Sequence, residues 1–484
     1  MSTFFGLNIS RLGLQAQQKS LTVTAHNIAN ANTPGFSRQR AQMTPTNPMP
    51  YANGEGMLGS GVVVAEIARI RDRFLDTQLR QEAQTLAKWE TRHSFLSQVE
   101  GVFMEPSETG FSSVLNTFYN SWQELSINPE NSSVRAALVE NGNAFTNAAR
   151  HTNEQLKSVR SNLAEQITAK TEEVNTLAKQ LADLNRQIVS LTAQRNSPAD
   201  LLDRRDNLLK ELTEIIEFDT VLNDNSSVNI FIGGRALVDQ STSFRLTTIA
   251  GAVDGDWTLS PQPAWERDNQ PLRMTNGQLA GLAETRDVLL RRYMEDFASM
   301  VWGVTNSVND LHAAGMDLYG TTGNAFFTGA NLETLQINEL IRNDSGLVAA
   351  SMAPGPGQSQ PAPGDGGNAL LIARLRSAAI SVDPLQPDVR LRATLDPLGQ
   401  TTFSDFHRDN IARLGVDTRE SKRLAENQAS LLAMLNQRQD AIAGVSLDEE
   451  MANMIQFQLA YQASSRVITA FDEIYDTLIN RMLR

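Results

Sequence analysis

The chain has 484 residues, 41% hydrophobic and 20% charged, with a net charge of −13 and no cysteine. Such a length has room for roughly three domains and a sizeable core. The acidic balance, without a cluster of Lys and Arg, argues against a nucleic-acid partner, and the missing cysteines exclude disulfides, thiolate metal sites and cysteine nucleophiles.

The opening MSTFFGLNISRLG does not read as a secretory signal, because Asn8, Ser10 and Arg11 interrupt the apolar core of about 7–15 residues that one needs. No stretch of about 18 apolar residues occurs, so membrane insertion is not expected. Over residues 4–30, Leu7, Leu14, Leu21 and Ile28 recur every seven residues and predict an amphipathic helix, with Arg11 and Gln18 as flaws in its seam. It should stop in Asn30-Ala31-Asn32-Thr33-Pro34-Gly35, where Pro-Gly favours a tight turn. Residues 41–61, rich in Pro, Gly, Asn and Met, read as a loop, Val62 to Val64 as a short strand, and 66–104 as a helix ending near Pro106.

From Glu130 to Ser197 there is no proline, and only Gly142 interrupts a long helical stretch. Ile167, Val174, Leu181 and Ile188 hold one heptad position, and Leu177, Leu184 and Leu191 the other, with Lys170 as the exception. That seam suits a bundle helix packed in its own chain more than an intermolecular coiled coil. Near residue 218 the character changes: Val221-Leu222, Val228 to Ile232, Leu237-Val238 and Phe244 to Thr248 are strand-like, with Asn223-Asp224-Asn225 and Gly233-Gly234 as turns. Helix returns from Gln278 to about His312. Residues 353–367, with four Pro and five Gly, read as a linker dispensable for folding. Residues 370–400 are mixed. Helix resumes from Phe403 to Ile442, with a break expected at Gly415, and a last helix runs from Ser446 to the end.

The fold class expected is mainly α with a β-rich insert, the long helices coming from both chain ends and the β part nested outside them. The division is 1–33 and 446–484 as terminal helices, 34–217, 276–317 and 403–445 as a long-helix domain, and 218–275 with 318–402 as a β-rich domain.

No catalytic, cofactor or metal site emerges. None of the five histidines has a second ligand at metal spacing in a plausible motif, and His407 between Asp405 and Asp409 reads as a solvated helix face. Gly54-Glu55-Gly56-Met57-Leu58-Gly59 matches a dinucleotide fingerprint by letter but lacks the strand before it and the helix after it. Glu449 and Glu450 point about 100° apart on a helix, and Ser446 with Glu449 reads as a capping box.

The ends carry the stronger signal. Leu447, Met454, Tyr461, Ile468, Tyr475 and Met482 recur every seven residues, with Met451 beside them. Residues 1–54 hold four basic residues and no acid, whereas 445–484 hold six acids and three arginines. Two amphipathic helices of opposite sign are natural partners. Each isolated helix faces a costly nucleation step, so both ends are expected to be mobile in a free monomer and to fold on assembly.

His26 to Ser37, with Pro34-Gly35-Phe36 at its end, resembles the N-terminal signature of flagellar rod, hook and hook-associated proteins. Gly61 to Val64 with Arg69, Asp72, Phe74 and Gln78, and Val445 to Met454 with Tyr461-Gln462-Ala463, resemble further shared blocks. Asn196 to Asp206, Gly277 to Leu282 with Arg286-Asp287, and Gly315 to Gly320 with Phe326-Phe327 resemble motifs of the hook-associated protein 1 family. The likeness spans nearly the whole chain, although the central insert looks short for the family.

The resemblance implies a non-enzymatic adapter between hook and filament at the hook-filament junction of the bacterial flagellum. It implies partners in further copies of the chain, the hook protein, a second hook-filament junction protein and a cytoplasmic export chaperone at the C-terminal helix. It also implies type III export to the cell exterior, for which a chain without thiols is suited. The assembly interface would comprise Leu7, Leu14, Leu21, Ile28, Asn30, Asn32, Pro34, Gly35, Phe36, Met451, Met454, Tyr461, Ile468, Tyr475 and Met482. Other readings are a different axial protein (hook or distal rod), an enzyme housed in the β-rich insert, and a coiled-coil signalling protein.

Overall fold

The computed structural model describes residues 4–50, 57–103, 110–194, 198–250, 261–353 and 364–477. Met482, Pro106, Asn196-Ser197, the Gly54-Glu55-Gly56 turn and most of the 353–367 linker lie outside the described residues. The fold is mainly α with a β-rich insert.

Helix α1 (Phe4–Ala29) leads into β1 (Gln39–Pro45), β2 (Met49–Pro50), β3 (Met57–Leu58) and β4 (Val62–Arg69). Strand β1 pairs with β4 antiparallel, with a bulge at Gln42/Met43, and this hairpin packs on α1. The expected 41–61 loop is therefore partly strand, and the helix expected from residue 66 begins at Arg73, as α2 (Arg73–Phe103). Loop-like composition misled here. An edge hairpin accepts Pro and Met because only part of its backbone needs a ladder partner.

Next come α3 (Phe111–Ile127), α4 (Ser132–Ala193) and α5 (Ala199–Ile215). Asn131 starts α4 by accepting from Ser133 N (2.9 Å) and Val134 N (3.4 Å). At 62 residues α4 is about 90 Å long. Its buried seam holds Ile167, Val174, Leu181, Ile188, Leu177 and Leu184 as the spacing predicts. The seam is covered by this chain's own α5 and sheet, the bundle arrangement. Gly142 does not interrupt the helix. A Cβ there would sit 2.7 Å from Ile337 Cδ1, so the glycine lets a strand pair approach α4 closely.

The β-rich part is a four-stranded antiparallel sheet of β5 (Asp219–Leu222), β6 (Val228–Ile232), β7 (Arg235–Asp239) and β8 (Thr242–Ser243), with a hairpin of β9 (Leu246–Ala250) and β10 (Pro261–Trp265). Then α6 (Gln278–Glu284) passes through a π-helical turn (Thr285–Leu290) into α7 (Arg291–Ala314). Short pieces follow: β11 (Gly315–Met316), β12 (Phe327–Thr328), β13 (Gln336–Ile337), α8 (Glu339–Asn343), β14 (Ser351–Met352), α9 (Gly367–Arg374), β15 (Ile380–Val382), α10 (Val389–Arg392) and β16 (Ala393–Leu395). The end of the supposed linker packs, contrary to expectation. Asp365 accepts from Met352 N (2.9 Å) and Gly367 N (2.8 Å), and a Cβ on Gly366 would lie 2.1 Å from Ser126 O.

Helix α11 (Phe403–Ala443) runs antiparallel to α2 with no break at Gly415, and α12 (Leu447–Asp476) closes the chain. A glycine in a helix interior costs about 1 kcal/mol against alanine, too little to stop a helix clamped along its length. One apolar cluster runs continuously from α2 and α3 through α4 and the sheet to α7, α9 and the start of α11.

Helices and strands are joined by a repeated device. Asn27, Asn175, Asn185 and Asn309 each accept from the N–H of one residue through Oδ1 and donate to the same residue's carbonyl through Nδ2. The partners are Gln39, Leu246, Val228 and Phe327, all at 2.7–3.1 Å. Asn185 adds a bond to Gln240 O at 2.7 Å. Each amide completes a strand edge that a helix would otherwise bury unpaired. Asn185→Ala is expected to cost about 2–4 kcal/mol in urea unfolding, because it strands buried backbone groups. Asn185→Asp should cost at least as much, since a carboxylate cannot donate to Val228 O.

His312 lies fully buried, with Nδ1 2.7 Å from Asn324 O and Nε2 accepting from Ala349 N at 3.0 Å. Burial lowers its pKa to about 4. It stays neutral while the unfolded chain takes up a proton below about 6.5, so stability is full above that pH and falls as pH drops toward 4. Urea midpoints across that window should show a loss of up to about 3 kcal/mol, and His312→Gln should flatten the dependence.

Candidate assembly site at the paired termini

Both terminal helices are formed and lie against each other within the one chain, where the sequence argument expects order only on assembly. Pairing inside the chain supplies the packing that isolated helices lack. The pair is antiparallel. A Cβ on Gly6 would meet the Phe471 ring at 2.2 Å, and one on Gly13 would meet Ser464 Oγ at 3.4 Å. Fourteen residues further along both helices, Asn27 Nδ2 donates to Glu450 Oε2 at 3.0 Å.

The seam of α1 is thus Gly6, Gly13, Ser20 and Asn27, with Ala16 and Val23 beside it, and Ala16, Ser20, Val23 and Asn27 are buried. It lies one residue away from the Leu7, Leu14, Leu21, Ile28 stripe. Those four side chains are half-buried and flank the contact. Small residues let the backbones approach, and hydropathy spacing cannot see them. On α12 the inward stripe includes Met454, Tyr461, Ile468 and Tyr475, all half-buried, as the spacing implies. Leu447 and Met451 instead point to solvent. With Ile455 (58% exposed), Leu459 (61%) and Val467 (45%) they form an apolar ridge whose members are mostly four residues apart.

The α1 terminus is built as the Asn-Pro-Gly signature suggests. Asn30 Nδ2 returns to His26 O at 3.0 Å. Thr33 to Phe36 form a type II turn, Phe36 N donating to Thr33 O at 3.2 Å with Gly35 at φ +76°. Asn32 and Pro34 are exposed on this turn, and half-buried Phe36 sits edge-on to His26, ring centroids 5.4 Å apart.

Beyond the turn the opposite charges of the two ends meet. Arg38 Nε donates to Glu450 Oε1 at 2.8 Å and its Nη1 to Glu449 Oε2 at 2.7 Å, while Arg38 N donates to Ala443 O at 3.1 Å. Glu450 is buried, so all its partners count; Glu449 is 63% exposed. Ser446 caps α12 by accepting from Glu449 N, but the Glu449 carboxylate goes to Arg38 and does not close the capping box. Sequence reading had the sign of this contact but missed Arg38, Asn27 and Glu450 as its carriers.

Among the described residues no three His, Asp or Glu side chains converge as metal ligands, and no helix is long and apolar enough to cross a membrane. His407 is not on a solvated face: it is buried edge-on to Phe103 and Phe111.

Known proteins resemble this chain along nearly its whole length. Residues 96–327 match the model of the flagellar hook-associated protein FlgK helical domain, residues 7–36 that of the flagella basal body rod protein, and residues 440–482 that of the flagellar basal body rod FlgEFG protein C-terminal region. The chain is 30% identical to flagellar hook-associated protein 1 of Bacillus subtilis, covering 99% of both chains. It is 25% identical to the Escherichia coli protein of that name, over 98% of this chain and 99% of that one. The solved flagellar hook junction protein FlgK from Burkholderia pseudomallei superposes with a TM-score of 0.64 over 76% of this chain and all of that one, a likeness of fold at 14% identity.

Arg38→Ala should leave Glu450 buried without its cation and loosen α12 from α1 by about 3–5 kcal/mol. Hydrogen exchange should then quicken in both terminal helices and not in α4. Glu449→Ala should change the same protection by less than about 1 kcal/mol, as expected of an exposed partner.

Proposed function

The chain belongs to the flagellar hook-associated protein 1 family, and on that footing we propose that it is the structural adapter of the bacterial flagellum that joins hook to filament by self-assembly into a tube. The observation that carries the reading is the α12 ridge. A lone chain gains nothing by holding Met451, Ile455 and Leu459 in water, whereas a neighbouring copy that covers them contributes about 1.5–3 kcal/mol for each.

Residues 1–33 and 446–484 would line the inner tube. Residues 34–217, 276–317 and 403–445 would form its wall, apart from the β1–β4 hairpin, which packs on α1 and goes with the terminal helices, and 218–275 with 318–402 would form its outer surface. The half-buried Leu7, Leu14, Leu21 and Ile28 would complete the ridge from the α1 side, and the turn from Asn30 to Phe36 would set the angle between them. Partners are further copies, the hook protein on one side and the second hook-filament junction protein on the other. A cytoplasmic export chaperone would cover the ridge before passage through the flagellar type III apparatus. The role asks for no catalysis and no cofactor.

A different axial protein, hook or distal rod, is the second reading, because residues 7–36 and 440–482 match rod-protein models. The match over residues 96–327, which includes α4, favours the junction.

Ile455→Asp with Leu459→Asp is expected to leave a monomer of unchanged melting temperature that no longer adds to hook tips, with filament protein released into the medium. Normal filaments on hooks built with that variant would count against the reading.

A further inference from the structure

The terminal unit (α1, α12 and the β1–β4 hairpin) is tied covalently to the rest of the chain at only two places, between β4 and α2 and between α11 and α12. Among the described residues, Arg38 N also donates to Ala443 O of α11 at 3.1 Å beside the second crossing, and a row of further bonds runs to one face of α5. Asp200, Asp203 and Asp206, spaced by three, lie along that face. Asp200 Oδ1 is 3.2 Å from His26 Nε2 and accepts from Gln39 Nε2 at 2.9 Å. Asp203 accepts from Ser37 N at 3.1 Å and from Arg69 at 2.7 Å, and Asp206 accepts from Arg69 at 2.8 Å and Arg71 at 2.7 Å.

Arg71 stands on the first covalent crossing and is also held by both oxygens of Asp76, at 2.9 and 3.0 Å. Burial works against its charge, but Asp206 and Asp76 outweigh burial and raise its pKa. Asp76 in turn accepts from Gln439 of α11 at 2.6 Å, next to the second crossing. Arg205, between the aspartates, lies 3.7 Å from Asp206 through Nε and donates through Nη1 to Ser226 O at 2.7 Å, which ties the row to the loop between β5 and β6.

The contacts named here are polar. Asp200 is exposed, but Asp203, Asp206, Arg69 and Arg71 are largely shielded, so neutralising one of these carboxylates leaves its arginine short of a counter-charge. Beside them opens a cleft of about 840 Å³, lined by Pro34, Phe36, Arg71, Asp206, Asn436 and Gln439 among others. A Cβ on Gly35 would meet the side-chain amide of Asn207 at 1.9 Å, so the backbone of the turn passes directly over that side chain.

We propose that the aspartate row of α5 is a latch that holds the terminal unit at one angle to the body, and that releasing it lets the joint swing into the adjoining cleft. The latch lies within a single chain, so it can be tested without assembly and independently of the junction role.

With no native cysteine to compete, Gln15→Cys on α1 and Lys179→Cys on α4, both exposed, can carry a pair of spin labels in the full chain. At about 0.1 M salt, double electron–electron resonance should give one narrow distance population. Asp203→Asn with Asp206→Asn should broaden or shift it while the melting temperature of the body stays unchanged. Raising salt to about 1 M, which shortens the Debye length from about 10 to about 3 Å, should move the otherwise native chain the same way but less, because Asp203, Asp206, Arg69 and Arg71 are largely shielded. If the double variant does not fold, Asp200→Asn, at the exposed end of the row, takes its place and should give a smaller broadening. An unchanged distribution in the folded double variant overturns the latch. So does one unchanged in both Asp200→Asn and high salt.

Discussion

A buried backbone N–H or C=O has to be paired, and that requirement shapes four of the contacts here between a helix and a strand. A helix face offers no backbone groups of its own, so a strand laid against it would bury an unsatisfied edge. Asparagine resolves the conflict, because its amide presents one donor and one acceptor with the spacing of a peptide unit. Asn175 and Asn185 fasten two separate pieces of sheet to α4, Asn309 fastens β12 to α7, and Asn27 fastens β1 to α1. The insert is thereby fixed to the long helix by directional bonds as well as by the apolar cluster beneath it.

The terminal unit obeys a different rule. Its helices meet through Gly6, Gly13 and Ser20 on α1, small residues that let the Phe471 ring and the half-buried Met454, Tyr461 and Ile468 of α12 come close. What holds its far end is charge: the pair of Arg38 with Glu450, and the aspartates of α5 reaching Arg69 and Arg71. The body has a continuous apolar interior, whereas the ties named here between the terminal unit and α5 are polar.

Much of this was legible in the sequence. The limits of α1 and α4, the strand Val228–Ile232 and the α4 seam follow from hydropathy period and from the placing of proline. The Pro34-Gly35 turn follows from backbone sterics. The failures share a cause: they depend on residues that carry no hydropathy signal. The α1 seam is glycine and serine, so the leucines one position away drew the eye. The β1–β4 hairpin was hidden by Pro and Met that an edge tolerates, and Gly415 looked like a break because α2 lies too far away in sequence to be credited with holding α11 together. Asp203 and Asp206 stood in a recognisable motif, yet their partners are more than 130 residues distant.

The seven-residue repeat of small residues in α1 has a mechanical consequence. A helix whose contact face reads Gly, Gly, Ser at equal intervals presents nearly the same groove to α12 after a slip of one heptad, about 10 Å along the axis. Within that part of the seam the slip is opposed by the Phe471 ring, which lies against Gly6 and would have to leave it. Asn27, Arg38 and Glu450 forbid it, because their bonds exist at a single setting. The terminal pair therefore works like a smooth rail with one stop at its inner end, and the position of the chain's outer tip is decided some 30 Å away, at that stop.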